Sequence, residues 1–187
     1  ETKQEIIQHY QRAIEITPQS YYAYVRLADL YQRWGDFKAQ AVLCDSALRH
    51  YPGQADIWHS KGMAEYYQGN YPAAAKALNE ARLRAPELED NWEFLARAQE
   101  RAGEFDAALA TLEEAMARNA TYLFYYDVLS DTYFDSGDTA QSFLPILTLL
   151  ELDGQNPVWW RKLIGRYQII GDNAAADHYY QLSQSKG

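Results

Sequence analysis

Few side chains in this sequence have the type and spacing to support catalysis or metal binding: His9, His50, His59, His178 and the single cysteine Cys44. Metal sites need such ligands clustered at short intervals, and here they are scattered; one cysteine cannot close an internal disulfide. A Gly-rich phosphate loop, a Gly-x-Ser-x-Gly elbow and a His-Glu-x-x-His pair are all missing from the chain. His9 and His178 read as helix-surface residues, and His50 precedes the turn at Pro52. His59 has no nucleophile or second ligand at a helical spacing beside it. Asn119-Ala120-Thr121 has the form of a glycosylation acceptor, but such triplets arise often by chance and this one carries no weight. The sequence therefore points to a non-catalytic protein with no cofactor and no metal.

Charge narrows the partners further. With 26 acidic against 17 basic residues the formal charge is −9, which repels a phosphate backbone and an anionic membrane surface alike. Nucleic acid is excluded as an expected partner on that ground. No apolar run approaches the ~20 residues of a membrane helix, so direct membrane insertion is not expected either. The hydrophobic share of 48% is enough to fill an interior. The sequence begins at Glu1 rather than Met, and we expect it to be a processed or trimmed piece; compartment is not read from it.

The elements that must position any site announce themselves by period. Gly35, Gly69, Gly103, Gly137 and Gly171 stand 34 residues apart throughout, and eleven residues before each lies an aromatic: Tyr24, Trp58, Trp92, Tyr126 and Trp160. Leu27, Leu95, Leu129 and Leu163 hold a second column that Lys61 interrupts, with Ala28, Gly62, Ala96 and Ser130 beside them. After the glycines come Phe37, Tyr71 and Phe105, then Cys44, Leu78, Leu112, Ile146 and Tyr180, then Ala47, Ala81 and Ala115. Pro18, Pro52 and Pro86 close three units. Within a unit the apolar residues recur at three and four, which predicts two amphipathic helices per unit, the glycine ending the first. Asp36, Asn70, Glu104, Asp138 and Asp172 then place an acidic or amide group at the start of the second.

This pattern resembles the tetratricopeptide repeat, most closely from Trp58 through Pro86 and from Tyr24 through Pro52. The resemblance implies an all-α fold, a right-handed superhelical solenoid of helix-turn-helix repeats over residues 1–187, with a concave side lined by first helices. An orphan second helix is expected at 3–16, then five hairpins at 21–52, 55–86, 89–120, 123–154 and 157–185. The fourth departs most, with Thr139, Ser142, Leu149 and Gly154 off pattern; Pro145 inside its second helix predicts a late start or a kink near Gln141 to Pro145. In the fifth, Gly165 inside a helix costs about 1 kcal/mol relative to alanine. Tyr179 and Tyr180 on the last helix are expected to be partly exposed.

If the hairpins stack as the family does, the residues thirteen, ten, six and three before each glycine project into the groove. From the first three units these include Tyr22, Asp29, Asp56, His59, Met63 and Tyr66, then Asp90, Glu93 and Arg97. The last two units add Phe124, Asp127, Asp131, Phe134 and Arg161. The groove is thus acidic with aromatic walls, which suits a peptide or partner domain carrying basic and apolar residues. The plainer reading is a solvated face of an acidic protein, with Arg97 and Arg101 neutralising their neighbours. The carboxylate clamp with which some relatives grip chaperone tails does not match, since its columns read Val25, Asp29, Met63, Asp90 and Phe94 in the first three units. The leading reading is a protein-interaction scaffold or adaptor. The alternatives are an array that self-associates into a homo-oligomer through its ends, and a docking arm of a larger enzyme or of a bacterial secretion, pilus or exopolysaccharide assembly.

Overall fold

A computed structural model describes residues 2–186. Among these, eleven helices succeed one another: α1 (Lys3–Ile16), α2 (Tyr21–Arg33), α3 (Phe37–Leu48), α4 (Ala55–Tyr67), α5 (Tyr71–Arg84), α6 (Glu89–Arg101), α7 (Phe105–Arg118), α8 (Leu123–Asp135), α9 (Thr139–Leu152), α10 (Pro157–Ile169) and α11 (Asn173–Lys186). They fall into two compact units, residues 1–104 and 105–187, divided at the turn between α6 and α7. In the first unit each helix packs on the next in sequence, and the first helices α2, α4 and α6 also lie side by side. In the second, α7 to α11 pack in sequential pairs.

Turn chemistry sets the hairpins. The five comb glycines have φ between 70° and 91°, a region where a Cβ is strained and glycine is not. The residue after each glycine then starts the next helix. The carboxylates of Asp36, Asp138 and Asp172 accept from the backbone N–H groups of Ala39 (3.2 Å), Gln141 (3.2 Å) and Ala175 (3.0 Å), satisfying donors that a helix start leaves open. Asn70 makes no such cap; its Nδ2 donates to Glu65 Oε2 at 2.9 Å instead.

The aromatic column has a polar role as well as a packing one. Trp58, Trp92 and Trp160 donate Nε1–H to the carbonyls of Pro52, Pro86 and Gly154 at 2.8, 2.9 and 2.7 Å, and the Tyr126 hydroxyl donates to that of Ala120 at 2.9 Å. Each acceptor lies six residues upstream, in the turn that enters the hairpin. The bond uses a backbone carbonyl, so the change from proline to Ala120 and Gly154 leaves it intact. The small column is equally physical: a Cβ on Gly62 would stand 2.5 Å from Leu78 Cγ, because α4 and α5 meet there.

Pro145 does not delay its helix. Contrary to expectation α9 begins at Thr139, two residues after Gly137 as α3 and α5 begin after their glycines, with Asp138 capping it. The missing donor costs on the order of 3 kcal/mol. Full burial of Ile146 and Leu149 on the following turn offsets it. At the chain's far end Tyr180 is 51% exposed, while Tyr179 stacks on Tyr167 with ring centroids 5.3 Å apart. No helix among the described residues is long and apolar enough to cross a membrane.

Candidate functional site

The side-by-side first helices of the first unit enclose an open cleft of about 380 Å³. Asp29 and Gln32 reach it from α2, Asp56, His59 and Ser60 from α4, and Glu89, Asp90 and Asn91 from α6, with Leu88 just before that helix. Four of the sequence-predicted groove residues, Asp29, Asp56, His59 and Asp90, therefore meet around one space. Beside it a second cleft of about 500 Å³ is walled by Arg33, Phe37 and Tyr67 and shares Asp29 and Gln32 with the first.

The polar groups of the first cleft are held in place. Asn91 Nδ2 donates to the Ala85 carbonyl at 3.1 Å, which turns its Oδ1 toward His59 Nδ1, 2.8 Å away. His59 Nδ1 must then carry the proton in that bond, and Phe94 meets the ring edge-on at 6.0 Å. The Tyr21 hydroxyl donates to Asp56 Oδ2. Burial, followed by the hydrogen bond and charge of Asp56, pushes the Tyr21 phenol well above its usual range. Asp29 has Arg26 at 3.9 Å, both exposed. From below, Gln40 of α3 donates Nε2–H to Gln32 Oε1 at 3.3 Å and to the Ser60 carbonyl at 3.2 Å, while its Oε1 is buried without a partner.

The other predicted residues of this unit divide by exposure. Tyr66 is half-buried among Tyr67, Tyr71 and Phe94, and that burial raises its phenol pKa against the pull of Arg101 and Arg97. Tyr22 is 64% exposed, with Arg26 over its ring at 5.7 Å. Met63 and Glu93 correct the column reading. Both are buried, Glu93 in an ion pair with Arg97 at 2.9 Å, so neither lines an open surface.

In the second unit the expected open carboxylates are engaged internally, a further correction. Lys162 Nζ donates to the Asp127 carboxylate, to the Asp127 carbonyl at 3.1 Å and to Asp131 Oδ2 at 2.9 Å, and Arg166 Nη2 donates to Asp131 Oδ1 at 2.6 Å. The Arg166 guanidinium also lies over Phe134, 4.1 Å from the ring centre, so Phe134 is covered. Arg166 is buried, and Nε and Nη1 have no partner. Desolvation lowers its pKa, against the pull of Asp131, Asp135 and Asp127. Phe124 is 46% exposed beside Tyr122, and Arg161 is exposed with its Nε on the Pro157 carbonyl at 3.3 Å.

Sequence reasoning missed Gln40, Asn91, Lys162 and Arg166. For three of them the signal was departure from column: Gln40 stands where Ala74, Ala108, Ser142 and Ala176 stand, Asn91 where Ala23, Ile57, Tyr125 and Trp159 stand, and Arg166 where Leu30, Ala64, Ala98 and Thr132 stand. A polar side chain in a buried column must find a partner, and its partners lie where columns of adjacent units meet.

Comparison with known proteins agrees with this architecture. Residues 9–41, spanning the latter part of α1, all of α2 and the start of α3, match a family model described as tetratricopeptide repeat. A tetratricopeptide repeat protein from Parabacteroides merdae superposes with a TM-score of 0.83 at 14% identity, covering 97% of this chain and 72% of that one. MamA superposes with a TM-score of 0.72 at 18% identity, covering 87% and 89%. YrrB, a TPR protein with an unusual peptide-binding site, does so with a TM-score of 0.69 at 15% identity, covering 95% and 91%. A comparison with curated proteins finds no match. The repeat match at residues 9–41, the 34-residue phase and the likeness to these structures agree, and the chain has the fold of tetratricopeptide-repeat proteins.

Proposed function

We propose that this chain is a non-catalytic protein-interaction scaffold and that it recognises an extended peptide, or a loop of a partner domain, in the inner cleft of its first unit. The observation that carries this reading is the convergence of Asp29, Asp56, His59 and Asp90 from three helices on one open cleft. Side chains on separate rigid helices, held by bonds such as His59 to Asn91, form a pre-ordered surface, which lowers the entropic cost of binding. The adjoining Phe37–Tyr67 stack, with centroids 4.7 Å apart, offers apolar area beside the charge. A peptide-binding site in YrrB, a protein of like fold, supports the same reading.

The second unit serves as support in this account, since Asp127 and Asp131 are satisfied by Lys162 and Arg166. The test is selection of a random dodecapeptide phage library on the immobilised chain, followed by amide chemical-shift mapping of the enriched peptide. Shifts concentrated at Asp29, Gln32, Asp56 and His59 are expected. Failure of any peptide to enrich, or shifts confined to α8–α11, refutes the reading.

A further inference from the structure

The last hairpin, α10 with α11, carries open to solvent a surface that the preceding hairpins bury. In those, the first helix of the next hairpin covers the second helix: Cys44 and Ala47 of α3 cluster with Ile57 of α4, and Leu78 of α5 with Leu95 and Ala98 of α6. Leu112 and Ile146 of the Cys44 and Leu78 column are buried as completely, whereas Tyr180 in that column is 51% exposed. Among the described residues, α11 packs on α10 alone. The two helices leave a cleft of about 310 Å³ with Trp160 and Ile164 as apolar wall, Arg161, Tyr180, Ser183 and Gln184 as polar wall, and no carboxylate among its lining residues. Ser183 stands in the column of Ala47, Ala81, Ala115 and Leu149, all buried. A permanently covered face would keep these columns apolar; the hydroxyls of Tyr180 and Ser183 let this one stand in water when it is empty.

Arg161 indicates what a covering helix must carry. It stands ten residues before its glycine, in the column of His59 and Asp127, and both of those take a polar partner from the next first helix: His59 from Asn91 at 2.8 Å, and Asp127 from Lys162. Arg161 Nε donates to the Pro157 carbonyl at 3.3 Å, and its two Nη nitrogens have no partner among the described residues. We propose that the α10–α11 face reversibly docks an amphipathic helix of a partner protein, laid where a next first helix would lie, with a carboxylate on Arg161. The helices that already cover such faces give its register. Ile57, Leu95 and Ala98 stand twelve, eight and five residues before their glycines, and Lys162 nine before its own. The docking helix therefore presents apolar residues at i, i+4 and i+7 and an Asp or Glu at i+3. This surface is independent of the cleft between α2, α4 and α6, and it selects an acidic partner where that cleft would repel one.

The probe is a stable helical bundle with one outer helix randomised, displayed on phage and selected on the immobilised chain; enriched bundles are labelled and titrated by fluorescence anisotropy. An Asp or Glu is expected at i+3 of the selected helix. Arg161→Glu, at an exposed position, should weaken binding about tenfold by turning an attraction into a repulsion. Changing the i+3 carboxylate of the bundle to Lys should bring binding by Arg161→Glu back to within about threefold of the parent pair. Lys76→Glu, the same charge change at an exposed position of α5, should stay within about twofold of the parent. Circular dichroism must show equal helicity for the three proteins. No enrichment, enriched helices without a shared acidic position, or no recovery by the swapped pair would overturn the proposal. Equal losses in Arg161→Glu and Lys76→Glu would overturn it as well, by showing a response to net charge alone. Sedimentation of the chain without a bundle covers the remaining occupant: a dimer that Arg161→Glu dissolves would give this face to a second copy and refute the partner helix.

Discussion

Two helical glycines of this chain provide opposite outcomes from one substitution. Gly62 lies in α4 and Gly165 in α10, both inside the helix, where alanine is favoured over glycine by about 1 kcal/mol. At Gly165 an added Cβ meets nothing within 4 Å, so Gly165→Ala should stabilise the protein by about 0.5–1 kcal/mol. At Gly62 the same Cβ would stand 2.5 Å from Leu78 Cγ, 2.9 Å from Leu78 Cδ2 and 3.2 Å from the Leu78 backbone nitrogen. Leu78 is fully buried and packs with Ala74, Ala75, Leu95 and Ala98, so it has little room to give, and overpacking of this kind costs about 1–3 kcal/mol. Set against the helix gain, Gly62→Ala should come out destabilising by up to about 2 kcal/mol. Urea unfolding followed by helical ellipticity measures both. A double-mutant cycle with Leu78→Ala sharpens the result, since removing the leucine branch removes the clash and the two losses should be far less than additive. If Gly62→Ala stabilises as much as Gly165→Ala, or if its loss adds fully to that of Leu78→Ala, the close approach of α4 and α5 is not what requires glycine there.

The remaining expectations concern the aromatic column, the cysteine and the buried ions. Trp92→Ala should cost about 3–5 kcal/mol, because Trp92 is 2% exposed, bonds the Pro86 carbonyl and carries Arg82 over its ring at 4.6 Å; Trp92→Phe should cost clearly less in the same urea titration. Burial pushes the Cys44 thiol up to about 12 from its usual 9.0. A raised acid pKa means stability that is complete below the unfolded value and is lost as pH rises above it. The unfolding free energy should therefore fall more between pH ~7.5 and ~10 in the parent than in Cys44→Ala, and native Cys44 should resist thiol reagents at pH ~8. Equal slopes for the two proteins would contradict the burial argument. Arg166→Met should change stability by no more than about 1 kcal/mol, since it frees two partnerless N–H groups and Asp131 keeps Lys162. Lys162→Met removes the link from both Asp127 and Asp131 and should cost about 3 kcal/mol.

What the sequence disclosed was whatever repeats. Gly35 and its four counterparts, the aromatic column and the Leu78 column recur because each unit solves one packing problem in the same way, so period alone locates the turns and the core. Single departures are harder to read, because their consequence depends on a neighbour far along the chain. Lys61, standing in a leucine column, pairs with Asp45 of α3, and Asn91, in an apolar column, orients His59 of α4. Pro145 misled in part for the same reason: of the late start or kink that a local rule predicted, the late start does not occur, since α9 begins at Thr139 and Ile146 and Leu149 on the turn after the proline are fully buried.

The groove columns show where such reasoning divides. Asp56, thirteen residues before its glycine, and Asp127, ten before its own, both fall in columns assigned to the groove, and by charge the two read alike. What separates them is the residue that each neighbouring unit supplies. Asp127 receives the ammonium of Lys162 from the next first helix, and with Asp131 and Arg166 it closes a network of two cations and two anions that needs no ligand. Around Asp56 the next first helix supplies Glu89, Asp90 and Asn91, adding acceptors and negative charge to a wall that already has both. Placing Lys at Asn91 would therefore not reproduce the second unit's network, because that position is buried and serves His59. The lysine of the second unit stands at the column of Phe94, so Phe94→Lys is the substitution that would give the first unit a cation of its own. If the acidic cleft recognises a basic side chain, that internal cation should compete with the peptide and weaken its capture without reversing the net charge of the chain. Undiminished capture by Phe94→Lys would mean that the cleft's charge is not what the peptide reads.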